Sequence, residues 1–264
     1  MSLVKSILVT LCIVVMFNIP VSFAENNSST RIEVIVGMGV RPPFLNLSEK
    51  SGAGIEILAV MNAVQQQFFF VHKEVPSKRR VQAIDEAWVD TIMWDNAAWG
   101  WQTLDMVSST PLVNSKDVYI ALKQENRGQN FFDDFSTEKI AMVNGFHYKF
   151  ANFETDIKKL KQRFSLSVVR TEEAVLKMIL AERAEVGVVS ETALNWFLIR
   201  YPQHRSTILV SEKYDTAYSR NFLLPSNGII NIEDINNILK VADSKGLLAP
   251  IYNKYGLKKP PFPH

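Results

Sequence analysis

Cysteine is nearly missing from this chain: one among 264 residues, at position 12. A chain with a single thiol forms no internal disulfide and no thiolate-rich metal site, so its stability has to come from a packed core. Histidine is scarce as well. His72, His147, His204 and His264 show no ligand spacing, and no metal is expected. Charge of one sign is not in excess. The net charge of +2 carries no polyanion signature, so nucleic acid is not an expected partner. Beyond the N-terminus, no apolar run reaches the roughly 20 residues that a bilayer span needs. Enzyme signatures are lacking too. There is no zinc helix motif, no G-x-S-x-G elbow and no phosphate-cradling loop, and Gly37-Met38-Gly39 lacks the third glycine of a dinucleotide fingerprint. No cofactor is expected.

The one long apolar run lies at the start. Lys5 precedes Ile7–Ile19, Pro20 breaks the run, and Ser22-Phe23-Ala24 places small residues where a signal peptidase reads. The run is about 13 residues, short for a membrane anchor. Residues 1–24 are therefore expected to be a cleaved signal peptide. Removing them takes away Cys12 and directs the rest to the periplasm, as a soluble monomer.

What remains has the apolar content of a globular protein, 47% over the whole chain against 21% charged. After a polar lead-in (25–30), residues 31–37 are β-branched and apolar, as in a buried strand. A helical face follows over 55–66, a strand at 68–75, a helix at 77–87 and a strand at 89–94. That alternation builds a parallel sheet. A strand at 116–123 leads to a second α/β set: strands at 139–143 and 186–189, with helices at 156–164, 172–184 and 192–200. Strand signals return at 207–210 and 221–224, and helices at 232–243 and 247–255 close the chain. The closing helices are surplus to the second set. The expected organisation is lobe 1 over 25–115, lobe 2 over 116–213, and a return to lobe 1 over 214–264.

The order and spacing of several pieces resemble the extracellular solute-binding proteins of family 3, the amino-acid type that serves ABC transporters. These are the strand ending at Gly37, the turn Arg41-Pro42-Pro43-Phe44, and Gly54-Ile55-Glu56-Ile57 opening a helix. Further pieces are Val89-Asp90-Thr91-Ile92, Ser109-Thr110-Pro111, residues 139–145 (KIAMVNG) and 185–191 (EVGVVSE), and the terminal stretch from Gly246 to Leu257. The resemblance implies the type II periplasmic-binding-protein fold, in which each of two lobes is a mostly parallel sheet flanked by helices. It further implies a ligand-binding cleft between them and a hinge equilibrium that a ligand touching both lobes would bias. The hinge is expected near 112–116 and 214–221.

The departures from the family concern the ligand. Counting without gaps from Val89-Asp90, the family's carboxylate-clamping arginine falls on Gln102, which offers only a neutral hydrogen bond. Small hydroxyl residues give way to Trp94, Asp95 and Ala97, and those at the start of the second lobe's helix to Phe146 and His147. The acid that meets an amino group becomes Glu191.

From the residues themselves, Trp94, Trp99 and Trp101 either pack the surface of a lobe or wall a cleft, with Asp95 as its polar pin; flat rings accept apolar, aromatic or cationic groups. Arg41 follows the first strand, and Arg79 and Arg80 open the second helix, one expected to face the cleft and the other water. Gly145, Phe146, His147 and Tyr148 lie at an expected helix N-terminus, whose free N–H groups attract anions. With Phe44, the expected ligand set is Arg41, Phe44, Arg80, Trp94, Asp95, Trp99, Gln102, Gly145, Phe146, His147, Tyr148 and Glu191. The arginines favour an anion and the acids an amine, and a zwitterion suits both. The favoured function is binding of a small polar or aromatic-bearing solute for delivery to a membrane permease. The alternatives are a binding protein that reports to a membrane receptor, and a dehydratase-like enzyme with Glu191 as acid.

Overall fold

A computed structural model describes residues 31–260. The expected signal peptide, the lead-in and His264 lie outside the described residues. In chain order the elements are β1 (Ile32–Met38), α1 (Ala53–Val64), β2 (Phe68–Glu74), α2 (Arg80–Asp85), β3 (Thr91–Asp95), β4 (Met106–Ser108) and β5 (Val113–Leu122). Then come β6 (Lys139–Val143), α3 (Ile157–Arg163), β7 (Ser165–Val169), α4 (Glu172–Leu180), β8 (Val186–Ser190) and α5 (Glu191–Arg200). The chain closes with β9 (Ile208–Pro225), α6 (Ile232–Ser244) and α7 (Ala249–Tyr255).

The strands lie in the order β2-β1-β3-β9-β5-β8-β6-β7, with β4 also paired to β9. Two parallel blocks, β2-β1-β3 and β8-β6-β7, flank the long antiparallel pair β9-β5. This is the mixed α/β, two-lobed arrangement. The segments near 207–210 and 221–224 are the two ends of one strand of 18 residues, β9. Strands β4 and β7 carry no clear signal in the sequence, because both are short and neither is fully buried.

Burial on both faces explains the apolar runs of the strands. Along β5, Val118 and Ile120 pack under α4 and α5, while Tyr119 and Ala121 face the opposite core with Leu160 of α3. Along β9, Phe222 and Leu224 meet α1 and α6, and Leu223 faces α2. Several helix starts are capped by side chains. Thr171 accepts from the Ala174 N–H at 3.1 Å, Ser190 from Ala193 at 3.2 Å and Asn231 from Asp234 at 2.8 Å. These caps fix where α4, α5 and α6 begin, and so where Glu172 and Glu191 point. No described helix is long and apolar enough to cross a membrane.

Candidate functional site

The carboxyl ends of β1 and β3 deliver the first wall of a cleft. Arg41 and Phe44 lie in the turn after β1, and Trp94 and Asp95 are the last two residues of β3. Phe44 and Trp94 stack with ring centroids 4.4 Å apart. Two devices hold the indole there. The register of β3 against β9 shifts between Met93 and Asp95, and Trp94 adopts a left-handed φ of 70°. A bulge adds a residue and breaks the alternation of faces, so Trp94 joins the same core as Met93 rather than the opposite one. Left-handed backbone at a bulky residue costs on the order of 1–3 kcal/mol and needs a surrounding structure that enforces it. Gly54, at the start of α1, is part of that structure. A Cβ there would lie 2.8 Å from the Trp94 Nε1, so only glycine lets the helix press on the indole.

Arg80, the first residue of α2, joins Asp95 through Nε at 2.7 Å, and its Nη1 donates to the Ser77 carbonyl at 2.7 Å. Its Nη2 donates to the Trp99 carbonyl. Arg79 is exposed, so the pair divides between cleft and water.

Lobe 2 supplies Gly145, Phe146 and His147 from the turn after β6, and the buried Glu172 from the start of α4. Arg41 crosses between the lobes: its Nε meets Glu172 Oε2 at 2.9 Å and its guanidinium lies 4.5 Å from the Phe146 ring. Glu172 Oε1 also accepts from the Ser190 N–H at 2.6 Å. Burial alone would raise the Glu172 carboxyl; Arg41 and the Ser190 bonds outweigh it and hold it below the usual carboxylate range. Burial, with the Arg80 charge, holds the His147 imidazole below its ordinary value.

The floor comes from β5 and β9. Tyr218 donates to Asp117 Oδ1 at 2.7 Å, and Arg220 Nη2 donates to the Tyr218 hydroxyl at 3.4 Å. Arg220 Nη1 donates to the Trp94 carbonyl at 3.0 Å, and Trp99 packs edge-on to Tyr218 at 5.1 Å. Burial pushes the Asp117 carboxyl up to about 6, against the Tyr218 hydrogen bond. These groups, Glu172 excepted, line a cavity of about 130 Å³. A second cavity of about 240 Å³ lies beside it, sharing Arg41, Ser77, Arg80, Gly145 and Phe146 with the first.

The structure thus brings together Arg41, Phe44, Arg80, Trp94, Asp95, Trp99, Gly145, Phe146 and His147. It places the other three expected residues elsewhere. Gln102 is exposed in the turn beyond β3, while Trp101 is buried in the core under α2. Tyr148 is fully buried within lobe 2, where its hydroxyl accepts from the Val143 N–H at 3.1 Å. Glu191 pairs with Lys258 at 2.7 Å and does not line the cavity, because the Ser190 cap turns the chain into α5 just before it. The acid that lobe 2 turns towards Arg41 is Glu172, which lines the second cavity. No α-helix starts at 145–148. A 3₁₀ turn follows at Lys149–Ala151, and the N–H groups of Lys149 and Phe150 are taken by Asp215 at 2.6 and 2.8 Å. The protein's own carboxylate occupies the donors expected to attract an anion. Asp117, Glu172, Tyr218 and Arg220 were not legible as site residues, although a charge at position 220, next to the apolar run 222–224, is a signal of a kind. Among the described residues, no group of three His, Cys, Asp or Glu side chains is placed to hold a metal.

The sequence matches no protein-family model and no curated protein. Solved structures do match its shape. The GluR0 ligand-binding core from Nostoc punctiforme, in complex with L-glutamate, superposes with a TM-score of 0.64 at 19% identity, over 84% of this chain and 98% of that one. The P235GK mutant of ArgBP from T. maritima gives 0.62 at 14% identity, over 85% and 95%. The substrate binding protein of an amino acid ABC transporter gives 0.60 at 15% identity, over 84% and 98%. The chain has the two-lobed α/β fold of these binding proteins.

Proposed function

We propose that this chain is an extracytoplasmic binding protein that encloses a small polar or aromatic-bearing solute, of amino-acid size, between its lobes for delivery to an ABC-type permease. The observation that carries this reading is the cavity itself. Lobe 1 contributes Arg41, Phe44 and Trp94, lobe 2 contributes Phe146 and His147, and the strands between them contribute Asp117, Tyr218 and Arg220. A solute in that space touches both lobes, and a ligand shifts an open–closed equilibrium only through such differential contact. The aromatic walls offer burial and cation–π attraction, and the charged groups fix orientation. The solved structures of this shape that hold L-glutamate or serve an amino acid transporter support a ligand of that size. On this reading the role is binding, not turnover.

Native mass spectrometry of the protein from the periplasm, followed by a thermal-shift screen with the recovered compound, tests it. A co-purified small molecule, recovered unchanged, that raises the melting temperature is the expected result. A chemically altered compound on prolonged incubation would turn the reading towards an enzyme. A second reading, in which the closed form reports to a membrane receptor, draws on the likeness to the GluR0 ligand-binding core. Cross-linking of the liganded protein in membranes separates the two: a captured permease supports delivery, and a captured receptor replaces it.

A further inference from the structure

Arg220 brings a guanidinium into the floor of the cleft at 3% exposure, and no described carboxylate pairs with it. The neighbouring arginines are committed, Arg41 to Glu172 and Arg80 to Asp95. Of its five N–H bonds, one from Nη1 goes to the Trp94 carbonyl and one from Nη2 to the Tyr218 hydroxyl, while the buried Nε has no partner. The Trp99, Tyr218 and Phe44 rings lie 4.8, 4.9 and 5.5 Å from its central carbon. Their faces stabilise a cation but accept none of its hydrogen bonds in the plane of the fork. A buried charge with unused donors, at the wall of a cavity, is incomplete without an anion. Asp117 does not complete it, because the Tyr218 hydroxyl stands between them and takes a bond with each.

Resting on the binding function proposed above, we propose that Arg220 is the receptor for the ligand's carboxylate, so that the anion sits on the strands joining the lobes rather than on the turn beyond β3, where Gln102 is exposed. The ligand class is a short monocarboxylate, zwitterionic acids included. The cavity of about 130 Å³ sets the size, being slightly smaller than an engineered cavity of about 150 Å³ that holds benzene. Asp117, across the Tyr218 hydroxyl, is placed to take an ammonium if the acid carries one.

The test compares propionate, butyrate, 4-aminobutyrate and benzoate with their primary amides, by calorimetry and thermal shift on the intact mature protein. At least one acid is expected to bind and its amide to fail, and R220Q to weaken that acid by about 10- to 100-fold, the worth of a charge-assisted hydrogen bond. E191Q, away from the cavity, is expected to bind as the parent does. Loss of the Trp94 contact can lower the stability of R220Q, but the acid–amide comparison needs no variant. Equal binding of acid and amide, R220Q within twofold of the parent, or a co-purified ligand without an anionic group would overturn the Arg220 assignment and leave the binding function standing. No co-purified ligand and no response to any probe would overturn both.

Discussion

Asp117→Asn is expected to stabilise the ligand-free protein and, for a ligand that carries an ammonium, to weaken its binding. The carboxyl is 8% exposed, and burial lifts it from an ordinary 3.8 to about 6. Between those values the folded protein holds a proton that the unfolded chain has lost, so stability falls as pH rises through the window and is level above it. A shift of that size costs the folded state about 3 kcal/mol at pH 7.5 and about 1 kcal/mol at pH 4.5. Asparagine keeps an oxygen for the Tyr218 hydroxyl and carries no charge to desolvate. Urea unfolding of the parent and D117N across that range should therefore show an advantage for D117N that grows by about 2 kcal/mol from pH 4.5 to 7.5. In melting temperature the gain at pH 7.5 is about 6–12 °C for a domain of this size. An advantage that is flat or shrinks with rising pH would refute the burial argument, because only ionisation of this group makes it grow. A binding site often keeps a charge that its scaffold would be steadier without.

Glu172→Gln should show the opposite pH signature. Its folded-state value lies below the ordinary one, so its stabilising effect is present above about pH 4.5 and is lost on acidification; urea unfolding should find E172Q less stable by about 1–3 kcal/mol at pH 7.5 and closer to the parent at low pH. Small-angle scattering of E172Q should also report a larger radius of gyration, since the Arg41 link between lobes is weakened; an unchanged radius and stability would remove the link from the account. Trp94→Ala strips the Phe44 stack and a buried indole, a loss of about 3–5 kcal/mol, and thermal shift should find no ligand response in any fraction that remains folded.

Much of the fold could be read from the chain because several strands are buried on both faces and its helices carry an apolar face. Thr171, Ser190 and Asn231 each stand directly before a helix whose start they fix. The first wall of the cleft was legible for a related reason: Arg41 and Phe44 follow β1, Trp94 and Asp95 end β3, and residues at the carboxyl ends of parallel strands face a crevice. The floor was not. Asp117 and Tyr218 are 101 residues apart and meet only because β5 and β9 run antiparallel side by side. Counting to Gln102 without gaps took no account of the turn after Asp95, beyond which Trp101 dives into the core. One residue, Ser190, decides which of Glu172 and Glu191 turns inward. The Ser190 N–H holds Glu172 inward, while the Ser190 side chain starts the helix that carries Glu191 out to Lys258.

The pairing of β5 with β9 also has a mechanical meaning. From Val113 opposite Arg220 to Asp117 opposite Thr216, consecutive rungs tie the two strands together, with no loop between the lobes on this path. Any rotation of one lobe against the other would load this ladder in torsion, shared among its hydrogen bonds, with an elastic restoring force. The register slips between Asp117 and Val118, and such an irregularity bends the strand and strengthens its local twist. The irregular rung therefore adjoins the buried Asp117 carboxylate in the floor of the cleft, so that on the binding function proposed above a ligand there would bear on the same rung.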